Sequence, residues 1–130
     1  MIFENLIFFI FYVKIMKRID AIVHSEKVVD LNDELKKMGI GGFTLLEAKG
    51  RGKGEKPTIG SSRGTGRYTS EYSARTNLST VVEDSEVDKV VKTILDTVST
   101  GSPGDGKIFI STVTDAIDIG TQKRGNGALV

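Results

Sequence analysis

Two stretches with a helical spacing of apolar residues, each directly after an apolar run, constrain the fold of this chain most. Residues 26–38 and 86–98 place apolar side chains at intervals of three and four, which predicts one buried helical face in each. The runs beside them predict four strands, over residues 17–24, 43–48, 78–82 and 107–113. The order βαββαβ predicts an α+β, ferredoxin-like sandwich with two helices on one face of an antiparallel sheet. The other face also needs cover, and oligomerisation is its simplest source.

The ends of the predicted helices carry recognisable signals. Ser25 is placed to cap the first helix, and Gly39 follows it as a C′ residue. Ser85 and Asp88 match a capping box for the second helix. After the fourth strand we expect a short element over residues 116–119 and a polar tail over 120–130.

The composition excludes several classes of site. The chain has 130 residues, which suit one domain, and its net charge of +1 gives no general attraction to nucleic acid or membranes. It contains no cysteine, which excludes disulfides, thiolate metal sites and cysteine nucleophiles. His24 is the single histidine, which excludes histidine clusters, and its place at a predicted strand end indicates a surface or turn role. These features fit an intracellular protein without a prosthetic group.

Residues 1–15 form an apolar extension before the first strand. Its apolar part is shorter than the roughly 20 residues that span a bilayer, and it lacks the basic region and cleavage site of a signal peptide. Two interpretations remain, an appended strand or helix and translated upstream sequence before a start at Met16. We favour the second, because the domain pattern begins at Met16.

Residues 49–75 form a long polar stretch between the second and third predicted strands. The stretch contains six glycines and seven lysines or arginines against two glutamates. Such a stretch cannot contribute to a core, and long loops inside compact domains are usually functional. Its basic side chains would suit RNA phosphates, an anionic metabolite or an acidic protein surface, and a solvated insertion is the plain alternative.

Residues 100–109, read as TGSPGDGKIF, form a glycine-rich loop that leads into the fourth strand. Gly101, Gly104 and Gly106 can adopt positive φ, which would let backbone amides converge on an anion beside the Lys107 cation. Asp105 could orient the loop or accept hydrogen bonds from a neighbouring chain. The pattern differs from the P-loop of nucleotide-hydrolysing enzymes, so the ten residues by themselves predict either a phosphate-binding loop or a simple turn.

Four motifs carry a resemblance to a known family: MKRIDAIV from Met16, EAKG ending at Gly50, VDKVV from Val87 and TGSPGDGKIFI from Thr100. Over residues 16–119 the chain resembles the PII nitrogen-regulatory signalling proteins. The resemblance implies a compact trimer that regulates nitrogen metabolism and binds ATP or ADP in clefts between subunits. It also implies a T-loop, here residues 51–74, that docks on a protein such as an ammonium transporter or a nitrogen-assimilation enzyme. We therefore expect a cytoplasmic regulator that is not an enzyme, binds no nucleic acid and reaches a membrane only through a transporter partner.

The resemblance also assigns roles to individual residues. Those implied to contact the nucleotide are Ile22, Thr44, Gly50, Gly52, Lys53, Val81, Gly104, Asp105, Gly106 and Lys107. Lys123 and Arg124 could add phosphate contacts if the tail folds back, because two arginines of the family align with Asp118 and Gly120. Those implied to act elsewhere are Arg63 and Arg67 in target docking, Tyr68 in covalent modification and Arg75 at a 2-oxoglutarate carboxylate.

One departure from the family concerns a second ligand. The family's glutamine that chelates Mg²⁺ beside 2-oxoglutarate aligns with Gly54, which has no side chain. Arg75 replaces a lysine and keeps its positive charge. We therefore expect ATP or ADP as the ligands and no metal site, and the departure argues against Mg²⁺ and 2-oxoglutarate.

Two other functions were weighed against the regulator. A basic-loop RNA-binding module could use the same α+β scaffold, but Phe43 and Phe109 are the only aromatic residues in the central strands, which is too few for a stacking platform. A slow ATPase is the other alternative, but the predicted site offers no paired acid and base.

Overall fold

The computed structural model describes residues 15–40, 42–52, 58–60, 67–69 and 72–129. The six strands in these ranges are β1 (Met16–His24), β2 (Thr44–Gly50), β3 (Thr58–Gly60), β4 (Arg67–Thr69), β5 (Ser73–Glu83) and β6 (Gly106–Val113). The two α-helices are α1 (Val28–Lys37) and α2 (Val87–Val98). The main sheet has the order β2-β5-β1-β6 and is antiparallel throughout, while β3 and β4 pair separately as a hairpin. This is the predicted α+β, ferredoxin-like fold.

The core lies between the two helices and one face of the sheet. Ile19, Ala21 and Val23 alternate along β1 and are buried, as the period of two requires. Helix α1 adds Leu31 and Leu35, both fully buried. The core residues contributed by β5 and α2 are Leu78, Val82, Val87, Val90, Ile94 and Val98. Burial of each large apolar side chain contributes about 1.5–3 kcal/mol, so this single layer of contacts holds the helices on the sheet.

Both helices begin differently from the sequence prediction. A 3₁₀ turn precedes each one, Ser25–Lys27 before α1 and Asp84–Glu86 before α2, and neither start has a side-chain cap. The predicted N-cap at Ser25 and the capping box at Ser85 are therefore wrong. The chain passes from strand to helix with no intervening residue, which draws both serines into the turn. The predicted C-terminal signal at Gly39 is confirmed, because Gly39 has φ +89° and donates to the Lys36 carbonyl.

The strands that flank the long polar stretch extend further than the sequence indicated. β2 continues to Gly50 and β5 begins at Ser73, and these two residues are register partners. The predicted loop of residues 49–75 is therefore shortened to 51–72. The extra pairs need only backbone hydrogen bonds, so they leave no apolar pattern in the sequence. Within the same stretch β3 and β4 pair Ile59 with Tyr68, which the sequence prediction missed.

The sheet face opposite the helices is partly exposed in the part of the chain that the structure describes. Two of its large apolar side chains, Leu46 and Phe109, are more than half exposed. Near the middle of this outer face the Asp20 carboxylate accepts hydrogen bonds from Ser79 and Arg18. Partial burial would raise the pKa of Asp20, but these hydrogen bonds outweigh it and hold the pKa below its ordinary value. Among the described residues, no helix is long and apolar enough to cross a membrane.

Candidate functional site

A cleft of about 790 Å³ opens where the end of β1, the end of β2, the start of β5 and the glycine loop meet. The antiparallel register brings these four chain segments together at one end of the strands. Residues with predicted ligand contacts that line this cleft are Ile22, Gly50, Gly52, Arg75, Gly104, Gly106 and Lys107. The structure therefore brings seven of the predicted residues together.

Charge distinguishes this cleft from a second depression on the protein. Arg51, Arg75 and Lys107 line the cleft against one carboxylate, Glu26, so an anion is attracted. The second depression, about 390 Å³, lies between α1 and α2 and has four acidic side chains, Asp30, Asp33, Glu34 and Asp96. Its lining also contains Lys37 but is negative in sum, so a phosphate favours the cleft over this depression.

Asp105 closes the glycine loop. Its Oδ2 accepts from the Thr100 amide and its Oδ1 accepts from the Thr100 hydroxyl, both at 2.6 Å. These hydrogen bonds, first from the Thr100 side chain and then from the backbone, lower the pKa of Asp105. Asp105 therefore orients the loop, as one of the sequence interpretations expected.

Two amides of the loop are engaged within it. The Asp105 amide donates to the Ser102 carbonyl at 3.1 Å, and the Gly104 amide donates to the Ser102 hydroxyl at 3.2 Å. The second bond is long and its acceptor is a rotatable side chain, so a phosphate oxygen could replace it. Convergence of the loop amides on an anion stays a prediction, and at Gly104 it would require such an exchange.

Gly106 allows the loop to enter the sheet. Its φ is +133°, and a Cβ at this position would lie 2.0 Å from the Ile22 carbonyl oxygen. The absence of a side chain lets β6 pair with β1 from its first residue, with Gly106 opposite Val23 and Lys107 opposite Ile22. The close approach sets Lys107 at the mouth of the cleft.

His24 holds the glycine loop from the other side. Its Nε2 lies 2.8 Å from the Gly104 carbonyl oxygen, so the end of β1 is joined to a loop eighty residues further along. The sequence placed His24 at a strand end and indicated only a surface or turn role. No sequence signal pointed to this contact, which depends on the β1–β6 register.

Arg75 lies along the base of the long polar stretch. Its Nη1 donates to the Ala74 carbonyl at 2.9 Å. Its side-chain stem passes close to Gly50, where an added Cβ would lie 3.2 Å from Arg75 Cγ. Arg75 therefore lies beside the root of the stretch and also lines the cleft.

Two predicted nucleotide contacts, Thr44 and Val81, lie away from the cleft. Thr44 is six residues before Gly50 on β2, which places it about 20 Å away along the strand. Val81 pairs with Arg18 and lies at the same end of the outer face as Thr44, which pairs with Ser79. The predicted contacts therefore form two separate groups on one chain.

The tail after β6 folds back on itself. The Asp118 amide donates to the Lys123 carbonyl at 2.9 Å, and Ile117 and Arg124 form an isolated antiparallel β-bridge. This bridge is all that the structure shows of the predicted element over residues 116–119. Arg124 forms an ion pair with Asp115 at 3.2 Å, and neither Arg124 nor Lys123 lines the cleft of this chain.

The tail turn is stabilised by Asp118. Its Oδ1 accepts from the backbone amide and the hydroxyl of Thr121, and these bonds lower the pKa of Asp118. The short 3₁₀ helix Gly125–Leu129 then contacts β5. The carboxylate where the family has an arginine is thus used to shape the turn.

Five of the residues considered in the sequence lie in the long polar stretch, where the structure describes only short segments. Lys53, Gly54 and Arg63 lie outside the described residues. Arg67 and Tyr68 are in β4, where the structure describes the backbone and its pairing. In the described ranges no group of three or more His, Cys, Asp or Glu side chains is arranged to hold a metal ion.

Comparison with known sequences gives one consistent family. The family model described as nitrogen regulatory protein P-II matches residues 16–123. A relative from Methanothermobacter thermautotrophicus, nitrogen regulatory protein P-II 1, is 36% identical over 116 residues, which cover 89% of this chain and 99% of the relative. The protein of the same name from Escherichia coli K12 is 38% identical over 114 residues, which cover 88% of this chain and all of the relative.

Solved structures show the same fold. Arabidopsis thaliana PII bound to citrate superposes with a TM-score of 0.71 at 29% identity and covers 89% of this chain and 92% of the other. The ATP complex of GlnK from B. subtilis superposes with a TM-score of 0.70 at 28% identity and covers 88% of this chain and 97% of the other.

Proposed function

The chain belongs to the nitrogen regulatory protein P-II family, and we propose that it acts as a trimer that senses ATP and ADP in the cleft described above. It is a PII-type signal transduction protein of nitrogen metabolism, as its relatives are named. The solved ATP complex of a GlnK relative supports a nucleotide as the ligand of this chain. The RNA-binding alternative has no support among the similar proteins.

One observation carries this proposal. The cleft joins both ends of the polar stretch, at Gly50 and Ser73, to the glycine loop and Lys107. A ligand bound there touches the root of the segment that would dock on a target. A ligand that binds one arrangement of the segment more tightly shifts the population toward it, and this is sufficient for a signal.

A trimer would unite the two groups of predicted contacts. We propose that one subunit contributes the glycine loop and Lys107 and its neighbour contributes Thr44 and Val81. The outer face of the sheet, where Leu46 and Phe109 are more than half exposed, supplies apolar area for such contacts. Lys123 or Arg124 of the neighbour would then approach the phosphates from the tail.

The remaining assignments follow the family. We propose Lys53 and Asp105 as further nucleotide-site residues, and Arg75 as the contact for any 2-oxoglutarate. Arg63 and Arg67 would dock on a target such as an ammonium transporter or a nitrogen enzyme, and Tyr68 would be the site of any modification. We place this action in the cytoplasm, with residues 16–119 as the sensor and 51–74 as the T-loop.

Regulation rather than catalysis suits the cleft. Its titratable residues include one carboxylate, Glu26, and one histidine, His24. The Nε2 proton of His24 is bonded to the Gly104 carbonyl and is therefore not directed at a ligand. We propose that any hydrolysis of ATP is too slow to contribute to function.

Calorimetric titration with ATP, ADP and AMP, each with and without 2-oxoglutarate and Mg²⁺, tests the proposal. We expect micromolar dissociation constants for ATP and ADP, and a loss of about tenfold or more in Lys107→Ala, because a charge-assisted phosphate contact contributes roughly 1.5–3 kcal/mol. Lys89→Ala removes an equal charge from the exposed surface of α2 and should stay within about twofold of the wild type. A folded trimer that binds neither nucleotide would refute the proposal.

A further inference from the structure

The hydrogen bond between His24 and Gly104 fixes the orientation of one peptide group in the glycine loop. A carbonyl oxygen can only accept, so the Nε2 of His24 carries the proton of this 2.8 Å bond. The Gly104 carbonyl belongs to the same planar peptide as the Asp105 amide, which donates to the Ser102 carbonyl at 3.1 Å. The peptide is therefore held at both ends, and rotating it would break two hydrogen bonds.

This peptide stands at the entrance of the cleft. Gly106 and Lys107 follow it directly and begin β6, so its orientation decides how the chain arrives at the β1 edge. The contact is also the link between the loop and the strand that carries Ile22, another cleft residue. A substitution of His24 that breaks this contact should therefore change the position of Lys107.

We propose that His24 is a positioning residue for the glycine loop and that protonation of its ring tightens the binding of a nucleotide polyphosphate. This inference rests on the proposed function. The imidazolium has two donors, so Nδ1 can gain a proton while Nε2 keeps its bond to Gly104. Protonation thus adds a positive charge beside the loop without changing the loop's geometry.

The direction of the effect follows from the charges that surround the ring. Among the described residues, the charged ones that line the cleft together with His24 are Glu26, Arg51, Arg75 and Lys107, and Asp105 follows Gly104 in the loop. Three of these are permanent cations and two are carboxylates, and Asp105 is already occupied with Thr100. One further positive charge is a large addition to this site. A bound anion is attracted more strongly by the protonated ring than by the neutral one, so we expect its affinity to rise as the pH falls.

Three substitutions at His24 separate positioning from charge. The side-chain nitrogen of glutamine can occupy the place of Nε2 and donate the same bond, but it cannot be protonated. His24→Gln should therefore keep the loop geometry and lose the pH response. The side-chain nitrogen of asparagine corresponds to Nδ1 and falls short of Gly104, so His24→Asn is the matched control, and His24→Ala removes both properties.

The experiment is a calorimetric pH series with ADP on protein without a histidine tag. The pH response of His24→Gln contains the titration of ADP itself, so the response of the wild type is divided by it. After this division we expect the dissociation constant of the wild type to be about three- to tenfold lower at pH 6 than at pH 8. At pH 8, His24→Gln should bind within about twofold of the wild type. His24→Asn and His24→Ala should bind ADP at least about fivefold more weakly than the wild type at both pH values. An equal pH response in the wild type and His24→Gln would refute the charge effect.

A second measurement needs no nucleotide. In the ligand-free protein, hydrogen exchange at the Asp105 amide should be slow in the wild type and His24→Gln and at least tenfold faster in His24→Asn and His24→Ala. Equal exchange in all four proteins would refute the positioning role. If the wild type bound no ADP at any pH, the proposed function would fail, and the exchange rates would still decide whether His24 positions the loop.

Discussion

Replacement of Gly106 by alanine should destabilise the folded protein strongly. A Cβ at this position would lie 2.0 Å from the Ile22 carbonyl oxygen and 3.1 Å from its carbonyl carbon, and both atoms are backbone. Neither atom can move away as a flexible side chain would. The positive φ of +133° adds strain of about 1–3 kcal/mol for any residue with a side chain.

The magnitude follows from what must move. To relieve the overlap, the start of β6 has to retreat from β1 by more than an ångström, which breaks the pairing of Gly106 with Val23. Loss of one or two backbone hydrogen bonds costs about 1 kcal/mol each. Together with the strain in φ, we expect Gly106→Ala to lower the free energy of unfolding by about 2–5 kcal/mol.

Two other glycines of the same loop serve as matched controls. Gly101 has φ +85° with no atom within 4 Å of its hypothetical Cβ, so Gly101→Ala should cost only the strain, about 1–2 kcal/mol. Gly104 has no positive φ and its nearest contact is 3.8 Å away, so Gly104→Ala should stay within about 0.5 kcal/mol.

The assay is equilibrium urea unfolding of the three variants and the wild type at one protomer concentration, because stability of an oligomer depends on concentration. The order of destabilisation should be Gly106, Gly101, Gly104. If Gly106→Ala cost no more than Gly101→Ala, the backbone overlap would be relieved without breaking the sheet, and the reasoning would be wrong.

Two further substitutions test the loop and the core. Hydrogen bonds from Thr100 depress the folded-state pKa of Asp105, so its stabilising effect is present above the unfolded pKa of about 3.9 and is lost as the pH falls through the lower folded value. Asp105→Asn should therefore reduce the dependence of stability on pH in this acidic window, measured by urea unfolding between pH 5 and about 2, and an unchanged slope would contradict the assignment. Leu35 is fully buried on the inner face of α1. Leu35→Ala should lower the free energy of unfolding by about 2–5 kcal/mol in the same assay. The exposed neighbour Lys36, replaced by alanine, should change stability by less than about 0.5 kcal/mol, and similar losses for both would argue against this packing of α1.

The fold was predictable because its periodicities are strong and local. The alternation of Ile19, Ala21 and Val23 and the helical spacing of Val87, Val90 and Ile94 each mark a face that must be buried. What the sequence missed depends on backbone geometry. The helix starts at Ser25 and Ser85 fail as caps because a 3₁₀ turn follows each strand at once, and this junction has no residue signature.

The glycine loop of the candidate site could be predicted from the sequence, but the prediction of the other parts of the site was incomplete. Gly106 and Lys107 stand out in the sequence because three glycines and a proline precede the lysine and the apolar run that follows it. His24 did not stand out, because its contact with Gly104 arises from two strands aligned across eighty residues. The separation of Thr44 from the cleft also follows only from the strand register.

The pairing of Gly50 with Ser73 has a consequence for how this protein can diversify. The two ends of segment 51–72 leave the sheet side by side, about 5 Å apart, at positions fixed by the β2–β5 ladder. For a loop whose two ends are held in place, doubling the length adds only about 0.6 kcal/mol of closure entropy. The segment can therefore be lengthened, shortened or exchanged with little cost to the domain that holds it. A new target could be acquired by changing this insert beyond Arg51 and Gly52, which line the anion cleft, while the cleft itself stays as it is.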